Sequence, residues 1–184
     1  MMTSKNELRE KYKLIRSKLT VGERETMDIA ICGNLFASAA FCNAPAVFCF
    51  IGTGEEINTR PIFEKAWELG KITAAPVITG KGLMEFRSMT DFNGLEQNRF
   101  GILEPVGGEV LEPDERSVVI VPGLVFGENM TRIGYGGGYY DRYFCGKTDV
   151  VTIGIIYDCQ IMPCLQKEEH DMILKGIITE YKKY

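Results

Sequence analysis

Apolar side chains at Leu8, Tyr12, Ile15 and Leu19 recur at helical spacing, which predicts an amphipathic helix over residues 4 to 19. Lys5, Arg9 and Arg16 follow the same period and fall just beside that stripe. "TVGE" at 20 to 23 has the Thr-x-x-Glu form of a capping box, so a second helix starts there. Its apolar positions Ile29, Cys32, Leu35, Phe36 and Ala39 keep the 3.6-residue period. "AVFCFIG" at 46 to 52 is a continuous apolar run ended by glycine, the pattern of a strand buried on both faces. In the next segment Asn58 or Thr59 can cap a helix, Pro61 sits in its first turn and Gly70 lies where a C-terminal glycine belongs.

"KITAAPVI" and "LMEFRSM" then read as strands joined by the turn "TGKG". Residues 90 to 116 are irregular, with "NG", "EP" and "GG" marking turns. Buried strands return at Val118 to Val121 and in "DVVTIGIIYD", and "MILKGIITE" ends the pattern with a β-branched run. "DRYF", after the run of glycines, is assigned to a helix. Helices alternating with double-buried strands argue an α/β fold, a mostly parallel sheet between helical layers. Ligands of such sheets sit beyond the carboxyl ends of the strands.

The 184 residues suit one domain over 1–184, with a core large enough to fold without disulfide or metal. A net charge of -4 argues against a nucleic-acid partner. Six cysteines without a CxxC pair, and one histidine, make a Cys/His metal site improbable and fit reduced thiols in a cytoplasmic protein. No apolar run reaches the roughly 18 residues of a membrane span, and "MMTSKNELREKYK" lacks the apolar core of a signal peptide.

"TRIGYGGGYYDRYF", residues 131 to 144, holds the candidate chemistry. Bare glycines let backbone N–H groups approach an anion closely, and a helix opening near Tyr139 would add donors and a favourable dipole. Arg132 offers a fork matched to phosphate oxygens. Asp141 beside a phosphate would be self-defeating unless a cation lay between them, and Mg²⁺ is the usual one. A surface turn with its tyrosines pinned to the core is the competing reading of the glycine run. It is neither a Walker A motif nor a dinucleotide fingerprint.

"PGLVF" followed by "RIGYGGGYYDR" resembles the signature of the 5-formyltetrahydrofolate cyclo-ligases, also called methenyltetrahydrofolate synthetases. "KNELREKYKLIRSKL" resembles that family's N-terminal basic helix, "FIGTGEEINT" its folate-contacting strand end, and "HDMILKGIITE" its C-terminal close. The resemblance implies a three-layer α/β/α fold like that of certain sugar-phosphate isomerases and CoA transferases. It also implies closure of 5-formyltetrahydrofolate to 5,10-methenyltetrahydrofolate, with ATP and Mg²⁺ converted to ADP and phosphate. Expected partners are ATP and a reduced folate, for a monomer with no membrane or nucleic-acid partner.

Carried over residue by residue, the resemblance assigns Lys5, Asn6, Glu7, Leu8 and Arg9 to ATP, with Lys5 and Arg9 on phosphates. Arg132, Ile133, Gly134, Tyr135, Gly136, Gly137, Gly138, Tyr139 and Tyr140 would form the nucleotide loop. The stretch from Tyr135 to Tyr139 would also border the folate, with either ring against the pterin. Arg132, Tyr135 and Tyr139 are the catalytic candidates. Ile51 and Glu56 match substrate positions, Glu56 accepting from pterin N–H groups, with Glu55 its natural confusion. Asp141 would ligate Mg²⁺ with Asp171 as a second acidic contact, although a capping or surface role suits Asp171 equally.

Met130 and Thr131 depart from the pattern, since relatives often carry a glycine before the arginine, and Lys175 is unexpected so near Asp171. Trp67 reads as core, and the chemistry needs no histidine, which leaves His170 without a role. A phosphosugar isomerase-like enzyme and a non-catalytic nucleotide- or folate-binding regulator are the alternatives.

Overall fold

A computed structural model describes residues 4–184. α1 (Lys5–Ser17) begins at a capping box, in which Ser4 Oγ accepts from the Glu7 N–H at 3.2 Å and Glu7 Oε2 accepts from the Ser4 N–H at 2.7 Å. Thr20 and Glu23 form the predicted second box and start α2 (Val21–Phe36). A short α3 (Ala39–Asn43), which the period did not separate from α2, starts where Ser38 Oγ accepts from the Phe41 N–H. β1 (Ala46–Cys49) and α4 (Arg60–Glu68) follow, and Pro61 sits in the first turn of α4 as expected. Thr59 precedes α4 but makes no side-chain cap. Its hydroxyl donates to Phe50 O at 2.8 Å and accepts from the Gly52 N–H at 2.9 Å.

β2 (Ile72–Gly80) and β3 (Leu83–Ser88) form the hairpin predicted around "TGKG". The stretch read as irregular contains β4 (Leu95–Gln97), β5 (Leu103–Pro105) and β6 (Val110–Leu111). Then come β7 (Val118–Val121), β8 (Val125–Gly127), β9 (Arg132–Ile133) and α5 (Tyr139–Tyr143). β10 (Val151–Ile155), β11 (Ile161–Met162) and β12 (Gly176–Ile178) complete the elements. Met130 takes φ 63°, a left-handed conformation that a glycine adopts freely.

The main sheet is seven-stranded in the order β12-β10-β7-β1-β2-β3-β6. Neighbours from β12 to β2 pair in parallel, and β3 and β6 add an antiparallel edge. Alternation along the central strands splits the core in two. Val47, Cys49, Val118 and Ile120 pack with Ile31 and Leu35 of α2 and with Ile62 and Phe63 of α4. Phe48, Val119 and Val121 face the other way, onto Phe126 of β8, Phe144 at the end of α5 and Leu174. Both faces are therefore covered, which is why the strands read as unbroken apolar runs. Leu8 and Tyr12 pin α1 onto Leu124, Val125 and Ile133 beside the carboxyl edge of the sheet.

Trp67 packs partly buried against the core, donating from Nε1 to Thr73 Oγ1 at 2.7 Å and meeting Phe92 edge-on. Among the described residues every cysteine is free, and no helix is long and apolar enough to cross a membrane.

Candidate active site

Phe50 and Ile51, which follow β1, and Pro122, which follows β7, open into a cleft of about 690 Å³. The cleft thus lies beyond the carboxyl ends of parallel strands, as the sheet type dictates. Its walls come from α1, the loop after β1, the β2–β3 hairpin, the β4–β5 hairpin, the glycine loop and the segment around Asp171.

Arg132 is buried at the base of the glycine loop, only 6% exposed. Its Nη2 donates to Asp141 Oδ1 at 3.1 Å, its guanidinium lies 5.5 Å from the Tyr140 ring centre, and its Nε finds no acceptor. Burial depresses the Arg132 pKa, opposed by the charge of Asp141. Lys5 reaches over from α1 and donates to both oxygens of Asp171, at 2.9 and 2.8 Å, with Glu168 at 3.0 Å. Burial works to lower the Lys5 pKa, but hydrogen bonds to Asp171 and Glu168 outweigh it and the net shift is upward. Burial likewise pushes the Asp171 carboxyl up, and the bonds from Lys5 and the Glu168 N–H bring it below its ordinary value. Arg9, one helical turn from Lys5, donates from Nε to Gly134 O at 2.9 Å and from Nη1 to Asn6.

The glycine loop turns through left-handed positions at Gly136 (φ 100°) and Gly138 (φ 62°). Among the described residues, no acceptor meets the N–H groups of Gly136, Gly137 or Gly138. α5 opens directly after Gly138, but at five residues it is too short to supply the macrodipole expected from the sequence.

A second constellation sits at the end of β1. Glu56 Oε2 accepts from the Thr53 N–H at 3.0 Å, and Oε1 accepts from the Tyr135 hydroxyl. Arg16 Nη1 donates to that same hydroxyl at 2.9 Å. The single phenolic proton is therefore committed to Glu56. Desolvation of the hydroxyl, and then the Glu56 charge, raise the Tyr135 pKa. Arg16 is 9% exposed, and its Nε lies 4.0 Å from Glu55 without a hydrogen bond.

Among the described residues, no group of three or more His, Cys, Asp or Glu side chains stands ready to hold a metal ion. Mg²⁺ needs no such cage when substrate phosphates and water complete its shell. Asp141 Oδ1 accepts from Arg132 and from the Met172 N–H at 3.3 Å, and no described residue donates to Oδ2. Both oxygens of Asp171 are engaged by Lys5. The carboxylate chemistry fits a magnesium ion, with Asp141 the freer ligand.

Of the residues singled out in the sequence, Lys5, Arg9, Ile51, Glu56, Asp141, Asp171 and every position from Arg132 to Tyr140 line this cleft. Asn6, Glu7 and Leu8 do not. Glu7 is spent on the Ser4 capping box, Leu8 is buried against the core, and Asn6 supports Arg9. Sequence reasoning missed Arg16, Glu104, Glu168, Phe100 and the hairpin residues Pro76, Ile78 and Met84. Only Arg16 carried a signal, its shared helical period with Lys5 and Arg9.

The carboxyl edge of a mostly parallel sheet here meets buried cations, an open glycine loop and a carboxylate–phenol pair, the site of an α/β protein. The sequence profile of the 5-formyltetrahydrofolate cyclo-ligase family matches residues 1–180. The chain belongs to that family. It is 30% identical over 173 residues to the 5-formyltetrahydrofolate cyclo-ligase of Escherichia coli K12, covering 91% of this chain and 95% of that protein. A probable 5-formyltetrahydrofolate cyclo-ligase of Schizosaccharomyces pombe is 26% identical over 99% of this chain and 98% of that protein. The solved 5,10-methenyltetrahydrofolate synthetase of Aquifex aeolicus superposes with a TM-score of 0.85 at 27% identity, over 97% of this chain and 91% of that one. The Mycoplasma pneumoniae synthetase, at 21% identity and a TM-score of 0.78, shares the fold over 97% of this chain and 99% of that one.

Proposed function

We propose that this chain closes 5-formyltetrahydrofolate to 5,10-methenyltetrahydrofolate while ATP is converted to ADP and phosphate. The observation that carries the reading is convergence. Lys5, Arg9, Arg132 and the glycine loop share one cleft with Glu56 and Tyr135. A formyl amide oxygen is a poor leaving group at neutral pH. Transfer of the terminal phosphoryl group to that oxygen lets it depart as phosphate when the neighbouring folate nitrogen closes the ring.

The protein's part is positioning and charge stabilisation. Lys5, Arg9 and Arg132 neutralise the triphosphate, and the open loop N–H groups donate to its oxygens. Glu56, steadied by Tyr135 and Thr53, accepts from the pterin N–H donors. Asp141 would hold Mg²⁺ with Asp171 behind it, and the ion, when bound, offsets phosphate charge.

The test is to mix protein, Mg-ATP and 5-formyltetrahydrofolate and follow methenyl absorbance together with ADP. Product should form only with both reagents present. Product formed equally well without ATP overturns the phosphorylation step. Tight binding of both ligands with no turnover would make the chain a regulator instead.

A further inference from the structure

Arg142 closes the signature "RIGYGGGYYDR", does not line the cleft, and has no part in the chemistry above. Its guanidinium nevertheless joins two segments that do line it. Nε donates to Gly82 O at 2.9 Å, in the turn between β2 and β3, and Nη2 donates to Gly137 O in the glycine loop. Glycines make the room for this. A Cβ at Gly82 or at Gly138 would run into the Arg142 guanidinium, and both residues take left-handed φ, +76° and +62°.

The consequence follows from peptide geometry. A trans peptide is planar, with its C=O and N–H pointing in opposite directions, and no cis bond occurs among the described residues. Gly137 O and the Gly138 N–H belong to one such plane. With the oxygen bonded to Arg142, the N–H of the same peptide points away from that guanidinium; Gly138 lines the cleft, and no acceptor from the described residues meets its N–H. The same guanidinium fixes the β2–β3 turn, whose strands give Ile78 and Met84 to the cleft.

We propose that Arg142 is a positioning residue for phosphoryl transfer, holding the Gly137–Gly138 peptide so that its N–H donates to the nucleotide's phosphates. This rests on the ATP-dependent reading given above. Arg142 touches neither reactant. It acts by fixing a donor and by tying the loop to the hairpin.

The experiment is steady-state kinetics of Arg142→Met, Arg142→Lys and Gly82→Ala with ATP and folate varied separately, alongside melting curves. For Arg142→Met, kcat/KM for ATP should fall about 10- to 100-fold, the scale of a donor displaced by about an ångström. KM for folate should stay within about twofold. Arg142→Lys, which keeps the charge and loses the planar fork, should recover only part of the loss. Gly82→Ala pushes the guanidinium away from the hairpin side without altering the loop sequence, and should impair ATP use in the same direction. Should Arg142→Met fail to fold, Arg142→Lys and Gly82→Ala decide the matter by the same split. Unchanged ATP kinetics, full recovery with lysine, or equal losses for both substrates in step with melting temperature would overturn the proposal. If the wild type itself needs no ATP, the functional reading fails. ATP dependence with unaffected variants removes this inference alone.

Discussion

Lys5 and Asp171 stand 166 residues apart in sequence, and Lys5 Nζ donates to both carboxylate oxygens of Asp171, at 2.9 and 2.8 Å. The first helix and the segment before the last strand are thereby closed over the same end of the cleft. Neither element forms that end alone, so the cationic site depends on the fold being complete.

This pair has a calculable pH window. The Asp171 pKa lies below its ordinary 3.8 in the folded state, so its share of stability is present above that value and lost as pH falls through the folded pKa. The Lys5 pKa lies above 10.5, so its share is present below that value and lost as pH rises through the folded pKa. Lys5→Met should therefore lower the melting temperature by a few degrees between about pH 5 and pH 9, for a partly exposed pair worth about 1 kcal/mol. The difference from wild type should shrink toward zero as pH falls below 3.8 and through the folded Asp171 pKa. A pH-independent difference would mean lost packing instead of lost charge.

Arg132 combines burial with an unpaired Nε, so its replacement tests charge and structure together. Arg132→Gln keeps much of the length, removes the charge, and should cut kcat/KM about 10²- to 10³-fold, as loss of a preorganised electrostatic donor does. Asp141→Asn should cost more stability than Arg132→Gln, because it leaves a buried guanidinium without its counter-ion. Thermal melts of the two variants side by side check the order.

Glu56 and Tyr135 should separate kinetically from the phosphate site. Glu56→Gln removes the anionic acceptor and should raise KM for folate about 10- to 100-fold, the worth of a charged hydrogen bond. Tyr135→Phe leaves the carboxylate in place, held by Thr53, and should raise it much less. KM for ATP should move little in either. A larger ATP effect than folate effect would reassign this corner of the cleft.

Thr59 is 1% exposed and bonded to both Phe50 O and the Gly52 N–H. Thr59→Val keeps the shape but leaves the Gly52 N–H without an acceptor and Phe50 O with only the weak Cys49 thiol as donor, at a cost of about 1 to 3 kcal/mol. The loop that carries Glu56 should loosen with it, so folate affinity should fall along with the melting temperature. Calorimetric binding of folate to the variant reads both.

Much of the architecture is legible along the chain because the deciding signals are local. Leu8 and Tyr12 announce α1, Thr20 and Glu23 announce the start of α2, and Val118 to Val121 announce a strand buried on both sides. The glycine loop is legible for the same reason. Thr59 shows where local reading stops, since a threonine before Pro61 suits a cap and its hydroxyl is instead drawn to Phe50 and Gly52. Arg16 and Arg142 were visible as charges, but their partners, Tyr135 and Gly82, are brought to them only by tertiary contacts. The β4–β5 hairpin, with strands of three residues each, was too short to show a period.

The central claim is that this cleft holds a triphosphate against the formyl oxygen so that the oxygen departs as phosphate. The most direct measurement is to supply 5-formyltetrahydrofolate carrying heavy oxygen in the formyl group, with Mg-ATP, and weigh the inorganic phosphate released. The account predicts that the heavy atom is found in that phosphate. Unlabelled phosphate, with the heavy oxygen recovered in water, would contradict it.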